Sequence, residues 1–323
     1  MFVLCGLFMG SVFRYVFGPV PSRRLGRSLG VNNLPLKICS YSCVYCQAGR
    51  TVVLSIERKP YCDPGRVVRE VCLALEKLKD GVDYVTFVPN GEPTLDSNLG
   101  VAAEGVKRET GVRVAVLTNS SLLFMGSVRE DLGVFDLVSL KVDSVFEDTW
   151  RRINRPFPGL RLGEVLDGVL EFCRGFGGDV IVETMLVKGV NDRREEFIGL
   201  GEFLEKISPR RVYLAVPIRP PAEEWVEPAC ESVLVEAYSV LREAGLDVEF
   251  LVSRERGEFG VVSDPVSSLL SIISVHPMRL SDVYRLLEKA GDPAAVLERL
   301  VHEGRVSIVE YRGEQFVVRR ISR

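Results

Sequence analysis

The chain has 323 residues, 46% of them hydrophobic and 26% charged, which fits a soluble globular protein with a sizeable core. Its 41 Lys and Arg against 44 Asp and Glu leave a net charge of -3, so a globally basic nucleic-acid-binding surface is excluded and any basic patch is local. The eight cysteines stand at 5, 39, 43, 46, 62, 72, 173 and 230, scattered except for one cluster, a pattern that favours a metal site plus spare thiols over a disulfide framework.

The opening stretch MFVLCGLFMGSVF is apolar but has no basic n-region and no A-x-A-like cleavage site. A bilayer span needs about 20 apolar residues, and this run is shorter. Residues 1–13 read as an N-terminal extension, Met9 is a candidate start, and the expected location is the cytoplasm with no membrane partner. A first strand is expected near 28–33, followed by the cysteine cluster KICSYSCVYC at 37–46. Beyond it, helical spacing and β-branched runs alternate. Helices are predicted at 64–79, 96–109, 121–131, 145–153, 161–176, 193–206 and 229–244. Strands are predicted at 82–88, 112–118, 135–143, 179–187, 210–218 and 247–252. The first of these helices has Asp63 and Pro64 as start signals.

Apolar strands alternating with helices indicate βα units around a parallel sheet buried on both faces. About six units fit before residue 252, whereas a closed eight-unit barrel takes roughly 250 residues. The predicted fold is therefore α/β, a partial (βα)6 TIM-like barrel over residues 14–252. Ligands gather at the carboxyl ends of such strands. The segments there, PNGEPT, TNSS, KVDS, VKGVND and PIRPP, are polar or rich in Gly and Pro, as a site rim is. After a charged linker at 253–264, three short helices (265–275, 280–291, 292–305) and a hairpin around Arg312-Gly313 predict a small winged-helix-like domain at 265–323. Ser281 and Asp292 read as helix caps and Gly291 as a stop.

The cluster carries the chemistry. Structural zinc sites take four protein ligands, often as paired C-x2-C motifs. Here Cys39, Cys43 and Cys46 stand in C-x3-C-x2-C spacing with no fourth Cys or His nearby; the two histidines, 276 and 302, lie far along the chain. Three thiolates in one loop suit three corners of a [4Fe-4S] cluster, leaving one iron for a small molecule.

CSYSCVYC, with Tyr45 before the third cysteine, resembles the signature of radical SAM enzymes. NGEPT at 90–94 resembles that superfamily's Gly-Gly-Glu-Pro motif, with Asn90 in place of the first glycine. The likeness spans about residues 14–250 and implies the same partial barrel. It also implies that Cys39, Cys43 and Cys46 bind three irons, that S-adenosylmethionine chelates the fourth, and that Gly91, Glu92 and Pro93 receive the methionine amino group. Tyr45 is then expected near the adenine. Asn119, Ser139 and Asp143 are expected to contact ribose or carboxylate. The implied reaction is reductive cleavage of S-adenosylmethionine to a 5′-deoxyadenosyl radical, fed by an electron donor such as ferredoxin or flavodoxin.

GPVPSRRLGRSLGVN, SLKVD, INRPFPGL, VETMLVKGVND and YLAVPIRPPAE resemble a largely archaeal branch related to the tRNA wyosine-base synthases. The resemblance implies tRNA or another nucleotide as substrate; peptide modification and an iron–sulfur sensor with a DNA-reading winged helix are the alternatives. Lys141, a candidate catalytic residue on SLKVD, is expected to pair with the cofactor carboxylate or Asp143, or to form a Schiff base. Arg23, Arg24, Arg27, Arg151, Arg152, Arg155 and Arg219 lie near strand ends, and arginines there suit an anionic substrate such as RNA. Cys72 and Cys173 fall within helical patterns and are expected in the core.

Overall fold

A computed structural model of the protein describes residues 13–35, 37–252 and 259–320. The expected extension up to residue 12, with Cys5 and Met9, lies outside the described residues, as do linker residues 253–258 and Arg323. In chain order the elements are β1 (Val16–Ser22), β2 (Gly26–Val31), β3 (Ile38–Cys39), β4 (Val53–Leu54), α1 (Pro64–Lys77), β5 (Tyr84–Phe87), α2 (Leu99–Thr110) and β6 (Val114–Thr118). Then come α3 (Gly126–Leu132), β7 (Leu137–Lys141), α4 (Glu147–Asn154), α5 (Leu162–Gly175), β8 (Asp179–Met185), α6 (Arg194–Ile207), β9 (Arg211–Ala215), α7 (Glu231–Glu243) and β10 (Val248–Leu251). A C-terminal module follows: α8 (Pro265–Ile273), β11 (Met278–Arg279), α9 (Leu280–Leu287), α10 (Pro293–His302), β12 (Val306–Tyr311) and β13 (Glu314–Arg319).

Eight strands form one sheet in the order β1-β2-β5-β6-β7-β8-β9-β10. From β2 to β10 every neighbouring pair is parallel, so six βα units build a curled half-barrel, as the sequence predicts. The strands are apolar on both faces because both are covered. Their outward residues, such as Val85, Val116, Val138, Val182 and Val212, pack against the helices in the main core. Their inward residues, among them Tyr84, Ala115, Leu137, Ile181 and Tyr213, fill the barrel floor. Helix α1 starts as predicted, with the Asp63 side chain accepting from Arg66 N and Pro64 at the first helical position.

β1 is not foreseen by the sequence reading. It pairs antiparallel with β2, interrupted between Phe17 and Val20, and carries Pro19 and Pro21. Prolines remove ladder donors, which edge strands tolerate and which hides the strand pattern. The buried Glu70 of α1 anchors this edge by accepting from the backbone N–H groups of Arg14, Tyr15 and Val16. The first parallel strand begins at Gly26 rather than near Ser28, and α3 starts at Gly126, after turns that occupy 121–125.

The C-terminal module holds the three predicted helices and the hairpin, which joins β11 in a sheet ordered β11-β13-β12. Asp292 caps α10 as expected, but Ser281 lies inside α9, whose cap position is Arg279. The module's core takes in a residue from outside it: Phe17 of β1 packs with Leu269, Ile272, Ile273 and Val283. Gly30 on β2 leaves room for that ring; a Cβ at Gly30 would come within 2.2 Å of Phe17 Cζ. Tyr311 donates its hydroxyl proton to the Pro217 carbonyl (3.1 Å), and Gly260 N donates to the Pro19 carbonyl (2.7 Å). The module is thereby fixed beside the barrel mouth.

Candidate active site

The cysteine loop runs from β3 at Cys39 to Cys46 and is clamped from two sides. The N–H groups of Ser42 and Val44 donate to the carbonyls of Asn154 and Ile153 at the end of α4. On the other side, Glu92 N donates to the Ile38 carbonyl (3.0 Å), which fixes the Gly91-Glu92-Pro93 turn against β3. That approach needs glycine: a Cβ at Gly91 would lie 1.8 Å from the Ile38 carbonyl oxygen.

Each thiol of the loop has its own nitrogen donor. Asn119 Nδ2 lies 3.4 Å from Cys39 Sγ, Asn154 Nδ2 lies 3.4 Å from Cys43 Sγ, and Lys37 Nζ lies 2.9 Å from Cys46 Sγ. Burial pushes the Cys43 thiol up to about 12, with the neighbouring Cys46 adding to the shift. Burial raises Cys39 further still, helped by Cys43 and Glu92. A metal-free loop therefore keeps these two thiols protonated at neutral pH, and a bound cation is what would make their thiolates favourable. Among the described residues, no group of three His, Cys, Asp or Glu side chains converges to hold a single metal ion.

Glu92 sits at the end of β5 and is buried. Its Oε1 accepts from Thr94 N, Thr94 Oγ1 and Thr118 Oγ1, and its Oε2 from Asn119 N. Burial pushes its carboxyl up, and the Thr118 and Thr94 hydroxyls oppose that shift. Next to it, Asn90 Oδ1 is buried with no protein partner. Asn90 also lines a cavity of about 1080 Å³ between the cysteine loop and the C-terminal module.

Asp143, just past β7, is buried and fully engaged. It accepts from the Tyr45 hydroxyl, from Asn154 Nδ2 (2.7 Å) and from Met185 N (2.8 Å). The Tyr45 ring is thus held in place, with Lys141 Nζ 4.9 Å from its centroid. The nearest carboxylate to Lys141 is Glu183 on β8, at 2.7 Å, while Asp143 lies 4.0 Å away. The expected Asp143 link is therefore the secondary one. Burial pushes the Lys141 ammonium down, and Asp143 opposes this. Ser139 is buried and shares the inward register of β7 with Leu137 and Lys141, below the rim.

All the expected site residues except Ser139 therefore gather at the carboxyl rim. Lys37, Asn154 and Glu183 join them without having been singled out. Glu183 left a signal, a lone carboxylate within the apolar run DVIVETMLV; Lys37 and Asn154 left none. The arginines divide. Arg24 pairs with Glu183, Arg155 pairs with Glu223 (2.6 Å), and Arg219 donates to Gln47 (3.0 Å). Arg27 instead sits at the amino end of the sheet, bonded to Asp80 at 3.0 Å and away from the site. Arg151 pairs with Glu147 along α4. Cys72 is half-buried, Cys173 packs against the core, and Cys230 is exposed at the start of α7.

The profile of the Radical SAM superfamily matches residues 33–201, a span that covers the cysteine loop, the Glu92 turn and β5 to β8. The chain belongs to the radical SAM superfamily. It is 41% identical over 308 residues to a UPF0026 protein of Methanocaldococcus jannaschii, covering 94% of this chain and 96% of that one. A UPF0026 protein of Helicobacter pylori (strain J99) is 31% identical and is covered to 96%, so the relatives include bacterial ones. A probable dual-specificity RNA methyltransferase RlmN of Thermotoga sp. (strain RQ2) is 22% identical over 68% of this chain and 62% of its own. Among solved structures, a radical SAM methyltransferase from Sphaerobacter thermophilus matches with a TM-score of 0.53 at 18% identity, over 70% of this chain and 67% of that one. That likeness shows the fold, the partial TIM barrel of radical SAM enzymes. The protein is a radical SAM enzyme, and S-adenosylmethionine and an iron–sulfur cluster are the cofactors of its family. Among the described residues no helix is long and apolar enough to cross a membrane.

Proposed function

We propose that this radical SAM enzyme holds a [4Fe-4S] cluster on Cys39, Cys43 and Cys46 and acts on a nucleotide substrate, tRNA first. The observation that carries the cluster assignment is the loop itself: three thiols, each with a side-chain nitrogen donor, beside a carboxylate turn and a cavity. When bound, the cluster and S-adenosylmethionine supply reductive cleavage and a 5′-deoxyadenosyl radical. The residues of the chain position and shield. Lys37, Asn119 and Asn154 offset negative charge on the sulfurs, as outer partners of metal ligands do. Glu92 Oε2 carries one protein hydrogen bond, and Asn90 Oδ1 carries none, so both have capacity for the cofactor ammonium. Asp143 fixes Tyr45 as a wall for the adenine, and Lys141 is placed for a carboxylate. Ser139 is proposed as a contact from below the rim, and a ferredoxin or flavodoxin as the electron donor.

The nucleotide reading is supported by kinship. The RlmN relative is named as an RNA methyltransferase, and the stretches quoted above resemble the tRNA wyosine-base synthases. The order of elements in the C-terminal module supports a winged-helix reading. Its third helix, α10, carries Glu298 and Arg299 and is followed by Glu303, so it does not offer a basic face for DNA. That favours a docking role over a DNA-reading sensor.

Anaerobic reconstitution followed by dithionite and S-adenosylmethionine tests the chemistry. The expected product is 5′-deoxyadenosine, lost on Cys43→Ala. A cluster-loaded protein that leaves the cofactor intact sinks the enzyme reading of this site. Comparing modified nucleosides in tRNA from wild-type and deletion strains tests the substrate; identical profiles overturn the tRNA assignment.

A further inference from the structure

A second cavity, about 300 Å³, lies inside the half-barrel, separate from the larger one and meeting it at Phe17 and Gln47. It is bounded on the reactive side by Tyr45 and Cys46. The C-terminal module supplies another wall, Val275 and His276 at the end of α8. Phe259 stacks edge-on against the His276 ring at 5.6 Å and holds it there. A segment some 230 residues after the cysteine loop thus closes the chamber in which the loop's third cysteine is exposed.

The charge in this chamber is lopsided. Arg23, Arg24, Lys141 and Arg219 line it against one carboxylate, Glu183. Arg24 and Lys141 both pair with that single carboxylate. Arg219 is 8% exposed and donates to Gln47, a neutral amide. Even counting Asp143, 4.0 Å from Lys141 but outside the lining, cations outnumber carboxylates. Buried charge is costly unless it is paired, so such a chamber is completed by a ligand that brings negative charge. S-adenosylmethionine carries a sulfonium and an ammonium against one carboxylate, so its net charge is of the wrong sign to fill this role. The volume is at the low end for small-molecule sites, enough for one acidic headgroup or a single extruded nucleotide but not for a folded chain.

We propose that this chamber, closed by the C-terminal module, binds the substrate through a phosphate or carboxylate group held by Arg219 and Arg24. Arginine suits either anion because its planar fork can donate two parallel hydrogen bonds. The inference rests on reading the barrel mouth as the reaction site, and it assigns to the module a fixed role in shaping that site.

Titration calorimetry of the iron–sulfur-loaded chain with inorganic phosphate, with acetate and with a nucleoside 5′-monophosphate tests it. No turnover is needed, so failure here is distinct from failure to cleave S-adenosylmethionine. Saturable 1:1 binding of at least one probe is expected, weakened roughly 10- to 100-fold in Arg219→Gln, the loss expected for one hydrogen bond to a charged group. Arg219→Lys should retain part of it, which separates lost charge from misfolding, and Arg152→Gln, exposed on α4, should bind as the parent does. Tighter binding of phosphate and the monophosphate identifies a phosphate ester; tighter binding of acetate identifies a carboxylic acid. No saturable binding, or unchanged affinity in Arg219→Gln, overturns the proposal. Complete loss of anion binding on saturation with S-adenosylmethionine overturns it too, because the cations would then serve the cofactor's carboxylate.

Discussion

Three nitrogen donors around three thiols set the chemistry at the scale of single residues. Lys37 is the distinctive one, a buried ammonium 2.9 Å from Cys46 Sγ that also donates to the Gly49 carbonyl. A cationic donor stabilises sulfur-borne negative charge more than an amide does. Lys37→Met should therefore lower the cluster's reduction potential, and Asn154→Ala should shorten its lifetime, with a loss of metal affinity of about 10-fold or more. Iron and sulfide content after reconstitution, with a spectroscopic redox titration, measures both; parent-like values in both variants would show the donors to be incidental. The cysteines outside the loop separate by environment. Cys230, exposed at the cap position of α7, has its thiol held below the ordinary value by the Ser232 hydroxyl and the Val233 N–H. Burial holds Cys173 up at about 12. The rate of Cys230 alkylation should rise with pH through a midpoint below that of a free thiol, about 8.5, because a lowered pKa gives more thiolate at each pH. Cys173 should resist until the chain unfolds. Mass spectrometry of iodoacetamide-treated protein across pH reads this directly, and a Cys230 midpoint above that of a free thiol contradicts it.

Elements matter here through what they bring within reach of β3. The Gly91 turn packs its backbone on the Ile38 carbonyl, one residue before the first cysteine. In Gly91→Ala the added methyl meets backbone rather than a movable side chain, so the turn or the cysteine loop must shift. Overpacking of this kind costs roughly 1–3 kcal/mol. The variant should show a lower melting temperature and poor cluster retention together; a variant with parent-like stability and iron content would mean that the turn yields freely. This contact also shows where the sequence could be read and where it could not. The βα rhythm was legible because buried parallel strands are continuous apolar runs and their helices repeat every three to four residues. The cysteines and Glu92 were legible because short spacing encodes them. β1 was hidden by its prolines, and Asn154 and Lys37 by distance, since a donor's partner is chosen by the fold and not by its neighbours in the chain. The Glu183 partnership had the same origin: register between β7 and β8 sets Lys141 against it, which no local pattern reports.

For the whole molecule, the question is whether the C-terminal module is an appendage or part of the barrel. The packing answers through Phe17, which belongs to β1 by backbone and to the module's core by side chain. The same ring lines both cavities. Its removal should therefore act on both units at once. A buried Phe→Ala change costs about 3–5 kcal/mol when the site cannot collapse, and Gly30 beneath the ring offers no side chain to fill the gap. In Phe17→Ala, hydrogen exchange should accelerate in α8 and α9, far along the chain, while strands β6 to β9 keep their protection. Tyr311→Phe, which removes only the hydroxyl donated to Pro217, should show the same pattern more weakly, by about 1 kcal/mol. If the module were an appendage, Phe17→Ala would loosen β1 and β2 and leave α8 and α9 as protected as before. If it is a wall of the chamber, the loosened module should also weaken phosphate or acetate binding inside the barrel, although neither substitution alters Arg24, Arg219 or Lys141.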